Sequence, residues 1–243
     1  MNLKGNTWLV TGSRDVGKTF TAMQLAEEFF LSPVCPKSIV VFDHSNNDSY
    51  LQYPLHPLTL PQIPQLDWLA YPFRAIVRGD EEQFDEFCHL MTHFSRRTCI
   101  VFDDCGIFFE GNLTQERKRI LKTPKNNENE LIFQGHNYAE MAPRLLRESN
   151  MYVIKQTTDD PDELPDKVIA KKQVRQLMIE VIRENYQRPP KQKWATRIYD
   201  TETDEVWLLD PISNTFQVVE GEQHFPFSAL HKYRPNPSNS VLP

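Results

Sequence analysis

Glycine is scarce in this 243-residue chain, eight against eighteen prolines. That balance excludes a floppy Gly-rich architecture and points to fixed, extended connections. The four cysteines, Cys35, Cys88, Cys99 and Cys105, form no CxxC pair, so neither a zinc ribbon nor a disulfide frame is expected, but reduced thiols in a cytoplasmic protein. No apolar run approaches the ~20 residues a membrane helix needs. The opening MNLKGNTWLV lacks the shape of a signal peptide, and the mature protein is expected to start here and stay soluble. Basic charge is not in excess. The net charge of −6 gives no global attraction to nucleic acid or to an anionic membrane, so any such contact must be local. No GxSxG elbow is present. His89 and His93 stand four apart without the glutamate of HExxH, which argues against a zinc protease.

What is present is an alternation. An apolar content of 40% supports a real core. TWLVTG (7–12), SIVVFD (38–43), FRAIVRG (73–79), TCIVFDD (98–104), ELIFQGH (130–136) and MYVIKQT (151–157) read as short buried strands. Helical spacing is expected over 17–31, with Ala22, Leu25, Ala26 and Phe29 on one face. It is expected again over 81–97, with Phe84, Phe87, Cys88 and Met91. A basic helix is expected over 114–123 and a further helix, with a proline in it, over AEMAPRLLRES. Five prolines, Pro54, Pro57, Pro61, Pro64 and Pro72, make 44–72 an ordered excursion. Strands alternating with helices predict an α/β fold, a mainly parallel sheet between two helical layers. The acidic TTDDPDELPD reads as a boundary. It separates a core over 1–160 from a C-terminal part over 161–243 with a helix over 167–186, a hairpin over 195–210 and a tail.

The chemistry concentrates first in TGSRDVGKTF. Gly12, Ser13, Arg14, Asp15, Val16, Gly17, Lys18 and Thr19 fit GxxxxGK[ST], between a strand and a helix that continues through Phe20. The glycines let backbone N–H groups face phosphates, and the helix N-terminus favours negative charge. Lys18 would reach the β- and γ-phosphates, and Thr19 would hold Mg²⁺ through its hydroxyl. Arg14 and Asp15 are free of the motif and expected to face solvent. A phosphate loop calls for a distant apolar strand ending in aspartate, and CIVFDD supplies it. Asp103 would bind Mg²⁺, and Asp104 would either activate water or pair with a basic neighbour. Gln134 ends the next strand, where it could meet the γ-phosphate or the attacking water. His136 and Asn137 are weaker versions of the same idea. The long interval between the two motifs suits a sheet with a strand inserted between the loop strand and the Asp103 strand.

TGSRDVGKT, IVFDD and LIFQG together resemble the HerA/FtsK superfamily of P-loop ATPases, over about residues 5–157. Within it the chain looks most like viral and phage genome-packaging ATPases and the related zonular-occludens-toxin-like proteins. The resemblance implies a three-layer fold of the additional-strand class. It also implies ATP and Mg²⁺ as ligands, a homo-oligomeric ring that pumps DNA, and capsid or portal-vertex proteins as partners, in the host cytoplasm or on the virion. An arginine reaching a neighbour's nucleotide is part of that picture. By position Arg117 and Arg119 are the candidates, with Arg119 the preferred one and Arg144 and Arg147 as alternatives. Asp104 stands where such ATPases often carry glutamate.

A local DNA surface can be sought in 167–197. It holds nine bases (Lys167, Lys171, Lys172, Arg175, Arg183, Arg188, Lys191, Lys193 and Arg197) against Glu180 and Glu184, a balance of 9 − 2 = +7. Trp194 could stack on a base or sit in a small core. Arg117, Lys118, Arg119, Lys122 and Lys125 form a second basic stretch. Two rivals remain. One is a nucleotide-dependent switch, which the lack of an NKxD guanine reader assigns to adenine. The other is a small-molecule kinase, for which the proline-rich 54–72 would be a poor lid.

Overall fold

The computed structural model describes residues 5–189, 192–209 and 230–233, the last only in its backbone. Ten strands form one sheet in the order β10-β9-β8-β7-β1-β6-β5-β2-β4-β3. The elements run β1 (Thr7–Thr11), α1 (Lys18–Phe30), β2 (Ser38–Asp43), β3 (His56–Pro57), β4 (Arg74–Arg78), α2 (Glu81–Phe94) and β5 (Thr98–Phe102). They continue with α3 (Gln115–Ile120), α4 (Thr123–Asn127), β6 (Glu130–Gly135), α5 (Pro143–Glu148), β7 (Met151–Ile154), α6 (Lys171–Gln187), β8 (Thr196–Asp200), β9 (Glu205–Leu209) and β10 (Leu230–Tyr233). Strands β3 to β7 and β1 pair in parallel, and β7-β8-β9-β10 pair antiparallel. No helix among the described residues is long and apolar enough to cross a membrane.

The sheet is dry on both faces, as parallel strands require. Leu9, Val40, Phe102 and Phe133 face one core, closed by Phe84, Phe87 and Met91 of α2 and by Val174, Leu177 and Val181 of α6. Trp8, Val10, Ile39, Val41 and Ile132 face the other, covered by Ala22, Met23 and Ala26 of α1. Phe102 stacks on Phe133 at 4.6 Å and Phe84 on Phe108 at 4.1 Å. α2 starts where expected because Asp80 caps it, accepting from Gln83 N at 3.0 Å.

Two expectations change. The helix expected over AEMAPRLLRES shrinks to α5, because Pro143 can open a helix but not continue one. The basic helix divides into α3 and α4 at Leu121–Lys122, with Pro124 in the first turn of α4. The excursion at 44–72 contains two 3₁₀ turns and two-residue β3, and it buries Tyr50, Leu60, Ile63 and Trp68. The inserted strand is β6, which lies between β1 and β5. The sheet runs across residue 160, and α6 shares the core of β7, so the C-terminal part packs on the same sheet as the core. Most of the tail lies outside the described residues.

Candidate functional site

The loop rises from the middle of the sheet and is tied to both sides. Gly12 N donates to Gly135 O at 3.1 Å, at the end of β6, and Ser13 N to Gln156 O at 2.7 Å, beyond β7. A side chain at Gly12 would collide with Val16 Cγ2 at 2.6 Å, and Gly17 has φ +76°, a conformation that favours glycine. Arg14 and Asp15 are exposed, as expected.

A pocket of about 640 Å³ opens over this loop, lined by Ser13 to Thr21, Gln24, Ser45, Asn47, Ser49, Gln52, Asp103, Asp104, His136, Lys155, Trp194 and Thr196. It brings together the loop residues and both acids. Lys18 Nζ donates to Gly12 O at 2.7 Å and Ser13 O at 3.0 Å, and lies 3.1 Å from His136 Nδ1. Burial lowers the Lys18 pKa, opposed by Asp104 and Asp103.

The acids differ in setting. Asp103 is 4% exposed. It accepts from Asn47 Nδ2 at 3.2 Å and Ser45 Oγ at 3.5 Å, and the Tyr50 hydroxyl also bonds it. Burial raises its pKa against those bonds. Asp104 is more open and sits at φ +44°, a left-handed backbone costing on the order of 1 kcal/mol. Its Oδ1 pairs with His136 Nε2 at 3.0 Å. Lys18, His136 and Asp104 therefore form one chain of contacts across β6.

Gln134 does not line the pocket. It is fully buried, donates to the Tyr50 hydroxyl at 3.0 Å, and has no partner for Oε1 among the described residues. It stands behind Asp103, through Tyr50. Asn137 Oδ1 accepts from Glu140 N at 2.9 Å and caps a turn. Arg119 is exposed on α3, ion-paired to Glu116 at 2.8 Å and outside the pocket. Arg117 is bound to Asp85 at 2.7 Å and to Phe108 O at 2.8 Å. Arg144 faces Glu148 at 3.8 Å, and Arg147 is exposed.

Sequence reasoning missed Ser45, Asn47 and Tyr50, although they sit just past β2 in HSNNDSY, where a polar run follows a buried strand beside the Asp103 strand. It also missed Lys155. This lysine is 3% exposed, and its Nζ donates to Thr196 Oγ1 at 2.8 Å. Burial, reinforced by Lys18, pushes its pKa down to about 7. Trp194 lies on the pocket wall, 42% exposed, and not in a small core. Four bases of the basic segment are engaged. Lys171 pairs with Asp166 at 3.0 Å, Arg175 with Asp162 at 2.5 Å, Arg188 with Glu184, and buried Arg197 with Glu184 at 2.8 Å.

A phosphate loop on β1, a strand inserted beside it and paired acids beyond the next strand define the P-loop NTPase fold of the additional-strand class. No family model and no curated protein matches the chain, but solved structures do. The genome-packaging NTPase of Sulfolobus turreted icosahedral virus 2 in complex with sulfate superposes with a TM-score of 0.63 at 13% identity, covering 86% of this chain and 97% of that one. Its complex with ATP-gammaS gives 0.60 at 16% identity, covering 87% and 100%. The DNA-packaging ATPase of Sulfolobus turreted icosahedral virus gives 0.57 at 15%, covering 87% and 99%.

Proposed function

We propose that this protein is a Mg²⁺-dependent ATPase whose turnover drives DNA translocation, in the packaging of a viral or phage genome. The observation that carries the reading is the convergence of Lys18, Thr19, Asp103 and Asp104 on one pocket across β1, β6 and β5. The donor set fits the metal. Thr19 and Asp103 offer hard oxygen ligands, and no group of three metal-ligating side chains occurs among the described residues. That suits an ion held by one or two carboxylates together with substrate phosphates. When bound, Mg²⁺ would neutralise charge on the β- and γ-phosphate oxygens.

The chain's own residues divide the remaining work. Lys18 exchanges its bonds to the Gly12 and Ser13 carbonyls for phosphate oxygens. Asp104, held by His136 Nε2, takes the proton of the attacking water at its carboxylate. Asn47 and Tyr50 hold Asp103 in place, and Gln134 orients the Tyr50 hydroxyl. Catalysis is then mostly positioning and charge stabilisation. Arg119, on an exposed helix, is the candidate to reach a neighbour's nucleotide in a ring. Lys167 and Lys172, exposed near the start of α6, and the basic face of α3 are the candidate DNA contacts.

One observation favours a second reading, a nucleotide-dependent switch or assembly factor without translocation: four of the nine bases in 167–197 already hold carboxylates. ATP hydrolysis measured with and without single- and double-stranded DNA, beside Lys18→Ala, separates the two. Stimulation by DNA that Lys18→Ala abolishes is the expected result. Turnover indifferent to DNA supports the switch, and no turnover even with DNA and Mg²⁺ overturns the ATPase reading.

A further inference from the structure

The pocket extends past the catalytic groups in the opposite direction. Lys18 Nζ, the cation for terminal phosphates, turns to the β6 side, where it meets His136. A bound polyphosphate therefore has its far end toward β6 and β5, and the rest of the molecule must leave across Gly17, Thr19 and Phe20 toward β7 and β8. From β6 across β1 and β7 to β8 is three strand spacings, roughly 14 Å, room for the body of a nucleotide.

At that end stands Trp194. A Cβ placed on Gly17 would lie 4.0 Å from its indole Cδ1 and 4.0 Å from Lys155 Nζ. Phe20, 47% exposed, opens into the same pocket. Trp8 and Trp68 are buried. The backbone holding Trp194 is pinned. Lys155 Nζ donates to Thr196 Oγ1, Thr196 Oγ1 donates to Trp194 O at 2.9 Å, and Ala195 N donates to Asn185 Oδ1 at 3.1 Å. The ring is thus held half-open on a rigid wall beside the phosphate loop, which favours stacking at low entropic cost. Thr196 Oγ1 is the one acceptor of the Lys155 ammonium among the described residues, so further N–H groups remain for the phosphate or sugar side of the same ligand.

We propose that the stretch 192–196, leading into β8, is the nucleobase wall of the site, with the Trp194 indole as the stacking face for the base of the bound nucleoside triphosphate. The proposal rests on the phosphate-loop reading above. It places Trp194 in nucleotide recognition, in preference to stacking on a DNA base.

The test is a binding comparison on the full chain. Affinities for Mg²⁺-ATP, inorganic tripolyphosphate and a single-stranded oligothymidylate are measured by calorimetry for wild type, Lys18→Ala, Trp194→Ala and Trp194→Phe. Trp194→Ala is expected to weaken ATP by roughly 5- to 150-fold, the range for one base–aromatic stack. It should leave tripolyphosphate within twofold, and Trp194→Phe should recover most of the loss. Circular dichroism confirms that each variant is folded. ATP binding unchanged in Trp194→Ala, or ATP and tripolyphosphate weakened alike, overturns the proposal while leaving the phosphate loop intact. Loss confined to the oligothymidylate also overturns it, in favour of a nucleic-acid platform. Wild type that binds neither phosphate ligand, or Lys18→Ala that binds both as well as wild type, overturns the phosphate-loop reading and the proposal with it.

Discussion

The two flanks of the pocket are built from opposite chemistry. On the β6-β5-β2 side, two carboxylates are set in a hydrogen-bonded frame from the ends of three parallel strands: Asn47, Ser45 and Tyr50 on Asp103, and His136 on Asp104. On the β7-β8 side, a buried lysine and a half-exposed indole stand on the first antiparallel pair of the sheet. The phosphate loop is bonded to both, through Gly135 O and Gln156 O. On the proposed reading the first flank holds a metal and moves a proton, which calls for fixed oxygens. A flank that needs only to receive the body of a ligand can be made of one flat ring and one cation. The change from parallel to antiparallel pairing coincides with that change of task.

The sharpest way to break the comparison is on the acid side. Asp104→Asn keeps the shape but removes the base, and should lower ATP turnover by about 10²- to 10⁴-fold while nucleotide binding stays within a few fold. Equal losses in both would make Asp104 a binding residue. Next in size is a control at the other end of β6. Glu130 accepts from Lys37 Nζ at 2.7 Å, Trp8 Nε1 at 3.0 Å and Asn6 N at 2.8 Å, nearly all out of water. Glu130→Gln leaves Lys37 without its buried counter-charge and should cost about 3 kcal/mol of stability in denaturant unfolding. Residual turnover at low temperature should be unchanged.

On the β7-β8 side, Lys155→Met reports a charge that the fold disfavours. The folded pKa, about 7, lies below the ordinary lysine value of 10.5, so the unfolded chain binds the extra proton between those values. Wild-type stability then falls as pH drops from 10.5 to about 7 and levels off below. The Met variant should gain on wild type over that window, by a few kcal/mol at pH 6, and the gain should fade toward pH 10.5. A gain independent of pH would make it a packing effect. Phosphate near the ammonium favours its charged form, so nucleotide binding at pH 7.5 should take up protons in wild type, and less in the variant, as read by calorimetry in buffers of different ionisation enthalpy. The smallest effect is expected from Tyr50→Phe, which cuts the link from Gln134 to Asp103. Turnover should drop about tenfold, with a stability loss of about 1–2 kcal/mol from the stranded Gln134 amide.

The acid flank was half legible. CIVFDD announces itself because a buried strand ending in acids is a local pattern, and the following strand showed where Gln134 and His136 would end. That His136 would bridge Lys18 to Asp104, and that Gln134 would sit behind Tyr50, depends on β6 lying between β1 and β5, and strand order leaves no local trace. The β7-β8 flank was barely legible. Lys155 stands in the strand-like run MYVIKQT with no local sign of a partner, and β8, 41 residues on, supplies Thr196 to it. The charge count over 167–197 leaves out its acidic partners for the same reason: Asp162 and Asp166 lie just outside that range, and α6 folds Arg175 and Lys171 onto them.

By itself, the sequence determined the phosphate loop, the strand–helix alternation and the position of the paired acids. Each is written in contiguous residues and follows from short-range sterics and periodic burial. The tertiary structure alone decided which strand stands beside the loop, which polar groups hold the acids, and that Trp194 and Lys155 share the pocket with Lys18. Those contacts join residues distant in the chain, 56 positions apart for Asn47 and Asp103 and 118 for Lys18 and His136, and they exist because burying both faces of the sheet brings the strand ends to one edge.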